Sequence, residues 1–143
     1  GLSQSEVSTL ASIVQAEQAQ RRDEQATIAG LYINRIKVGM PLQSDPTLVF
    51  ASGDFTIRRV LNEHKRIDSP YNTYIYGGLP PGPINLPELS ALDAVLNYEK
   101  HNYYFMCAKP DFSGYHNFAR TNAQHEVYAR QYRNALNKKN IRR

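Results

Sequence analysis

Only one cysteine, Cys107, stands among 143 residues. That excludes an internal disulfide and any zinc site with two or more thiolate ligands. A lone thiol fits a reducing cytosol and a secreted domain with one buried cysteine equally well. No apolar stretch approaches the ~18 residues that cross a membrane, and no signal peptide precedes the first helix. Internal repeats, low-complexity tracts and linkers are also missing. Four histidines occur without metal-ligand spacing, so no metal and no cofactor are expected. The charge balance excludes an acidic solvating tail. Seventeen Lys and Arg against 13 Asp and Glu give +4, the balance of a protein with an anionic partner.

The length fits one domain, since two would each have an undersized core. A chain of this size buries roughly 68% of the surface it exposes when unfolded, enough to fold without disulfides. Much of the basic excess is local: Arg130, Arg133, Lys138, Lys139, Arg142 and Arg143 crowd the end of the chain. They suit a solvated helix end favoured by the helix dipole. A nucleic-acid footprint would interleave them with exposed aromatics on one face. Most of the ten tyrosines instead fall where a core would use them, so no nucleic-acid partner is expected.

Apolar spacing predicts a mainly helical α+β domain. Ser3-x-x-Glu6 is a capping box, and Val7, Leu10, Ala11 and Val14 follow at helical spacing. Asp23 is the expected cap of a second helix, with Ile28, Leu31, Tyr32 and Ile36 on one face and Gly39 stopping it. Gly30 costs that helix about 1 kcal/mol relative to Ala, a cost that close approach of another backbone would justify. A short third helix is expected from Thr56, carrying Val60 and Leu61. A fourth is expected from Pro87, with Leu89, Leu92, Val95 and Leu96 inward. The last opens with Thr121-x-x-Gln124 and carries His125, Tyr128, Tyr132 and Leu136. Residues 103–108 read as a buried strand with Cys107 inside it, paired with 115–118 in a hairpin; 74–76 is a candidate third strand. His125 reads as a core histidine, while His64 and His101 read as surface residues.

One carboxyl group stands out. Glu17 follows Val14 by three residues and Leu10 by seven, on the face of the apolar stripe. Glu6 is accounted for by the capping box and Glu17 is not. Either it ends the stripe and pairs with Arg21 at i+4, or it lines a cleft. At a cleft wall, desolvation would raise its pKa and keep it protonated, as a general acid requires. Two long Pro- and Gly-rich stretches, 40–47 and 69–84, add polar side chains beside tyrosine rings. They are either rigid turns that satisfy their own backbone or the loops of a sugar site, because a pyranose offers hydroxyls at its edge and C–H groups on its faces.

Taken in order, the motifs form a pattern: Ala11-Ser12-Ile13-Val14-x-x-Glu17, Ile33-Asn34-Arg35, Gly39-Met40-Pro41-Leu42-Gln43-Ser44-Asp45-Pro46-Thr47, Tyr71-Asn72-Thr73-Tyr74 and Gly78-Leu79-Pro80-Pro81-Gly82-Pro83-Ile84. His116-x-Phe118 and Thr121-x-x-x-His125 follow. This resembles the endolytic murein transglycosylases, the MltG or YceG-like family, over roughly Leu10 to Tyr132. Gln15 and Gln18 depart from it, standing where many relatives have Glu and Thr.

The resemblance implies cleavage of the β-1,4 link between N-acetylmuramic acid and N-acetylglucosamine within peptidoglycan, without water. The muramic C6 hydroxyl attacks its own anomeric carbon and leaves a 1,6-anhydro end. The family's catalytic glutamate falls on Glu17. Gln43, Ser44, Asp45, Asn72, Thr73 and Tyr74 are candidates for holding sugar hydroxyls and the acetamido group, with His116 in support. The implied setting is the outer face of the bacterial cytoplasmic membrane. There residues 1–143 would be the single catalytic piece of a longer protein, tethered by an anchor outside this chain. Peptidoglycan strands are the implied partner, and peptidoglycan synthases are further partners by family analogy. Two rivals remain: a muramidase using Asp45 as second carboxylate, and a non-catalytic peptidoglycan-binding module.

Overall fold

The computed structural model describes residues 1–141, so Arg142 and Arg143 of the basic terminus lie outside the described residues. Helix α1 (Gln4–Glu17) and a 3-10 turn (Arg22–Glu24) lead into α2 (Gln25–Val38) and α3 (Asp45–Ser52). After a second 3-10 turn (His64–Arg66) come α4 (Leu89–Leu96), β1 (Phe105–Ala108), β2 (His116–Ala119) and α5 (Asn122–Ile141). The α+β class read from the sequence holds: helices dominate, with one two-stranded antiparallel sheet.

The capping box closes α1 in both directions. Ser3 N–H donates to Glu6 Oε1 at 2.9 Å and Glu6 N–H to Ser3 Oγ at 3.2 Å. The stripe behind it, Leu10, Ala11 and Val14, is wholly buried against α2 and α4, where Ile28, Leu31, Ala91 and Val95 complete the core. Each large aliphatic side chain withdrawn from water there stabilises the fold by about 1.5–3 kcal/mol. Gly39 ends α2 with φ +76°, the left-handed conformation that favours glycine at a helix C-terminus.

Gly30 has the neighbour its position calls for. A Cβ placed on it would collide with the Glu99 backbone carbonyl and come within 2.8 Å of His101 Nε2. The chain returning from α4 lies directly on this face of α2. Two side chains of α2 then fasten the next segment. Asn34 Nδ2 donates to the carbonyls of His101 (2.8 Å) and Tyr103 (3.0 Å). Arg35 Nε donates to Tyr104 O (2.7 Å), and its Nη1 to Pro41 O (2.7 Å). The Ile33-Asn34-Arg35 motif therefore holds β1 and the 40–44 loop to one helix.

Several local expectations are corrected. The third helix begins at Asp45, not Thr56: Pro46 sits in its first turn, where a missing N–H costs nothing. Thr56 is held in a turn by Asp54 instead, with Thr56 N–H at 3.0 Å from Asp54 Oδ1. Residues 74–76 form no strand, because Asn72 winds them into a turn. Its Oδ1 accepts from Tyr74 N–H (2.9 Å) and its carbonyl from Tyr76 N–H (3.0 Å). Asp23 does not cap α2; it lies in the 3-10 turn and accepts the Tyr115 hydroxyl at 3.1 Å. In α4, Leu89 and Leu96 point to solvent. Ala91, Ala94 and Val95 face inward, since small residues let α4 approach α1 and α2.

The hairpin is shorter than expected. Its register pairs Phe105 with Ala119 and Ala108 with His116. All of β1 is half-buried rather than buried, because α5 covers one face and a cleft opens beside it. Cys107 is accordingly half-buried on the cleft wall, not in the core. His101 is not a surface residue either: its Nε2 lies 2.8 Å from Thr27 O. On α5, His125, Tyr128, Tyr132 and Leu136 are all half-buried, as their spacing requires. His125 stacks on Phe105 at 5.3 Å between ring centroids.

Candidate active site

Glu17 is the last residue of α1, at the mouth of a cleft of about 410 Å³. Tyr32 and Arg35 of α2, Gln43 ahead of α3, Asp45 at its start, Tyr74, strand β1, His116 and His125 surround it. The Arg21 pairing does not form. The helix stops at Glu17, so the i+4 geometry is lost, and Arg21 turns away to the Ser113 carbonyl (3.0 Å from Nε).

Two hydroxyls hold Glu17 instead. Tyr32 Oη and Ser44 Oγ each donate to its Oε1 at 3.0 Å. Oε2 has no protein partner among the described residues. Burial raises the Glu17 pKa, the hydroxyls of Ser44 and Tyr32 oppose that rise, the Asp45 charge adds to it and His116 counters it. The position reinforces the first effect, because carbonyls at a helix C-terminus carry negative partial charge and disfavour a carboxylate. The result is a half-buried carboxyl group held protonated at higher pH than a free glutamate. One of its oxygens is fixed and the other is unclaimed.

The loop that delivers Ser44 is built from buried polar groups. Ser44 N–H donates to Thr73 Oγ1 (2.9 Å), which lies 2.9 Å from Thr47 Oγ1, and Thr47 Oγ1 donates back to Ser44 O (2.7 Å). Gln43, just before, is held at φ +51°, a left-handed conformation unusual for a residue with a side chain. Removing the buried Thr73 hydroxyl leaves the Ser44 N–H unsatisfied. Thr73→Val is therefore expected to lose about 1–3 kcal/mol, read as a lower urea midpoint at unchanged slope.

The site residues expected from the sequence divide into two groups. Gln43, Asp45, Tyr74 and His116 line the cleft with Glu17. Tyr74 Oη donates to Asp45 Oδ1 at 2.5 Å, and burial together with that carboxylate pushes the phenol well above its usual pKa. Asn72 and Thr73 do not reach the cleft. Both are wholly buried, and Asn72 Nδ2 donates to the carbonyls of Lys65 (3.1 Å) and Ile67 (2.8 Å). They shape the wall from behind. Ser44 is also buried, but its hydroxyl touches Glu17.

Behind His116 stands an acid absent from the sequence-based set. His116 Nδ1 lies 2.6 Å from Glu24 Oε1, and its backbone N–H donates to Glu24 Oε2 (3.0 Å). Gln18 Nε2 donates to the same Oε1 (2.9 Å) and to Gly114 O (2.8 Å). Burial pushes the Glu24 pKa up, but the bonds from His116 and Gln18 outweigh it and hold this carboxyl below its ordinary value. Gln18 thus ties the end of α1 to the hairpin. Gln15, on another face, accepts the Glu88 N–H. Tyr32 was also missed as a site residue, since periodicity sees only its ring. The available signal was its hydroxyl, which needs a partner once carried on an inward stripe.

A model of the YceG-like family matches residues 1–131. The chain belongs to the YceG-like family. This YceG-like chain is 38% identical over 131 residues to an endolytic murein transglycosylase of Bacillus subtilis, covering 92% of itself and 35% of that protein. It is 39% identical over 110 residues to one of Streptococcus pneumoniae, covering 73% of itself and 20% of the relative. A crystal structure of a YceG-like protein from Listeria monocytogenes superposes with a TM-score of 0.78 at 34% identity, over 83% of this chain and 38% of that one. The YceG-like chain therefore spans about a third or less of the length of these curated relatives.

Proposed function

We propose that this YceG-like domain is a lytic transglycosylase. It cleaves the bond between N-acetylmuramic acid and N-acetylglucosamine inside peptidoglycan strands, with Glu17 as the only acid and base. The observation that carries this reading is the asymmetry of the Glu17 carboxyl. Its Oε1 is anchored by two hydroxyl donors, and its Oε2 has no partner among the described residues, in a cleft lined by sugar-binding side-chain types.

Glu17 Oε2 gives its proton to the glycosidic oxygen as the bond from the anomeric carbon breaks. The carboxylate so formed is stabilised by Tyr32 and Ser44, whose hydrogen bonds strengthen as charge develops. The muramic C6 hydroxyl oxygen then bonds to the anomeric carbon and its proton returns to Glu17. No water is consumed. The substrate acetamido group shields the oxocarbenium charge, so a second enzyme carboxylate is not needed, unlike the usual glycosidase pair. Gln43 and Tyr74 bind sugar hydroxyls at the rim, and His116, held by Glu24, supports the same wall. The likeness to proteins named endolytic murein transglycosylases supports this substrate. It also supports a place of action in the cell envelope, outside the cytoplasmic membrane. There this domain is the catalytic piece of a longer anchored protein, working beside peptidoglycan synthases.

Asp45 favours one alternative, because it lines the same cleft and could serve a hydrolytic muramidase. Digestion in heavy-oxygen water separates the two: transglycosylation leaves the new ends unlabelled, whereas hydrolysis labels them. Tyr32→Phe removes one of the two donors that stabilise the carboxylate. A lost hydrogen bond to a charged group, about 1.5–3 kcal/mol, lowers kcat roughly tenfold to a hundredfold. The same change raises the Glu17 pKa further, so the alkaline limb of the pH–rate profile moves upward.

A further inference from the structure

A second, larger groove of about 1110 Å³ shares Asp45 with the cleft as a lining residue. Ala16, the neighbour of Glu17, lies on the wall of the larger groove. Its apolar side includes Phe50 and Ile57, and three arginines line it from two elements: Arg58 and Arg59 from the loop after α3, and Arg133 from α5. Among the described residues, Asp45 is the only carboxylate that lines it, and Tyr74 already donates to it.

Three other arginines of the fold have partners. Arg22 pairs with Glu88, Arg21 bonds the Ser113 carbonyl and Arg35 bonds the Tyr104 and Pro41 carbonyls. Among the described residues, Arg58, Arg59 and Arg133 have no ion pair. Three like charges around one groove repel each other until an anion arrives. Guanidinium groups are also the side chains best matched to carboxylates, which they bind through two parallel hydrogen bonds.

We propose that this groove is the site for the peptide arm of the substrate, with Arg58, Arg59 and Arg133 receiving its carboxylates. The inference rests on the transglycosylase reading and extends it from the sugar to the peptide. The peptide springs from the muramic acid ring whose bond is broken, so it must leave the cleft close to Glu17. A five-residue arm reaches at most roughly 17 Å when extended. The groove, which shares Asp45 with the cleft and has Ala16 on its wall, offers an apolar side for alanyl methyl groups and cations for free carboxylates. An anionic membrane surface would also attract arginines, but it would not require them to line a concavity that shares a wall residue with the cleft.

The test measures binding without turnover. The probe is a soluble muramyl pentapeptide with free carboxylates, compared with the same compound fully amidated. Wild type is expected to bind the acid about tenfold more tightly than the amide, the worth of one charge-assisted contact. Arg58→Ala/Arg59→Ala and, separately, Arg133→Ala are expected to lose that preference while melting as wild type does. Equal binding of acid and amide by wild type, or a preference kept in the variants, overturns the inference. So does a loss seen only with anionic phospholipid vesicles. Because no bond is cleaved, these results stand apart from the transglycosylase reading, which fails separately if wild type leaves no anhydro ends. With peptidoglycan as substrate, the double variant is expected to raise KM about tenfold on peptide-bearing strands at unchanged kcat. Strands stripped of peptide should be cleaved as wild type cleaves them.

Discussion

Glu17→Gln is expected to abolish release of anhydro-ended fragments. A single general acid or base contributes roughly 10²–10⁴ in rate. Here one carboxyl group serves both steps, so the loss should reach the upper part of that range or exceed it. Glutamine has nearly the same shape and can still accept from Tyr32 and Ser44, so the cleft stays intact while the proton is removed from the chemistry. The fold should respond in the opposite direction. Burial places the Glu17 pKa above its unfolded value, so the folded chain holds this proton more tightly than the unfolded one. Stability tied to it is fully present below the unfolded pKa and is lost as pH rises through the folded pKa. Above both values wild type must keep a charge in a desolvated site, which the amide avoids. Glu17→Gln should therefore melt higher than wild type at pH 8, and the gap should close toward pH 4. Thermal melts across that range check the sign. A variant that melts lower at every pH would show that the carboxylate stabilises the fold.

The second large effect lies away from the cleft. Gly30→Ala adds one methyl group where the Glu99 carbonyl already sits, and Glu99 N–H is itself bonded to Ala26 O at 3.1 Å. Backbone cannot swing aside as a flexible side chain can. The cost of overpacking is about 1–3 kcal/mol, and this site belongs at its upper end. The gain in helix propensity, about 1 kcal/mol, offsets only part. A net loss of about 2 kcal/mol lowers Tm by roughly 4–8 °C for a chain of this size. The strain also pushes on His101 and on the segment that Asn34 and Arg35 tie down, so activity should fall together with stability. An unchanged Tm would mean that the 99–101 segment is not packed on α2.

How far the sequence reveals this molecule depends on the range of the interaction. Local signals were legible. The capping box at Ser3 and the stop at Gly39 arise within a few residues of chain and appear where expected. The position of Glu17 at the edge of its stripe was equally readable, because helical spacing alone puts it on the core side. Its partners were not. Tyr32 and Ser44 lie 15 and 27 residues away, and no spacing rule joins them to Glu17. Asn72 shows the converse: a polar residue in a Pro-rich loop looks like a ligand for sugar, yet it spends its amide on its own loop's carbonyls. Short aliphatic runs misled in the same manner. Val60 and Leu61 imitate a helix face, but the Asp54 turn takes that stretch and α3 forms earlier, where Pro46 can start it.

If Glu17 alone closes the ring without water, the products carry the record of it. Purified peptidoglycan is digested with the wild-type chain and with Glu17→Gln, and the released fragments are weighed by mass spectrometry. Wild type is expected to release muramic ends lighter by one water, and the variant none. Ends that retain the water, or anhydro ends still released by Glu17→Gln, would contradict that role for Glu17.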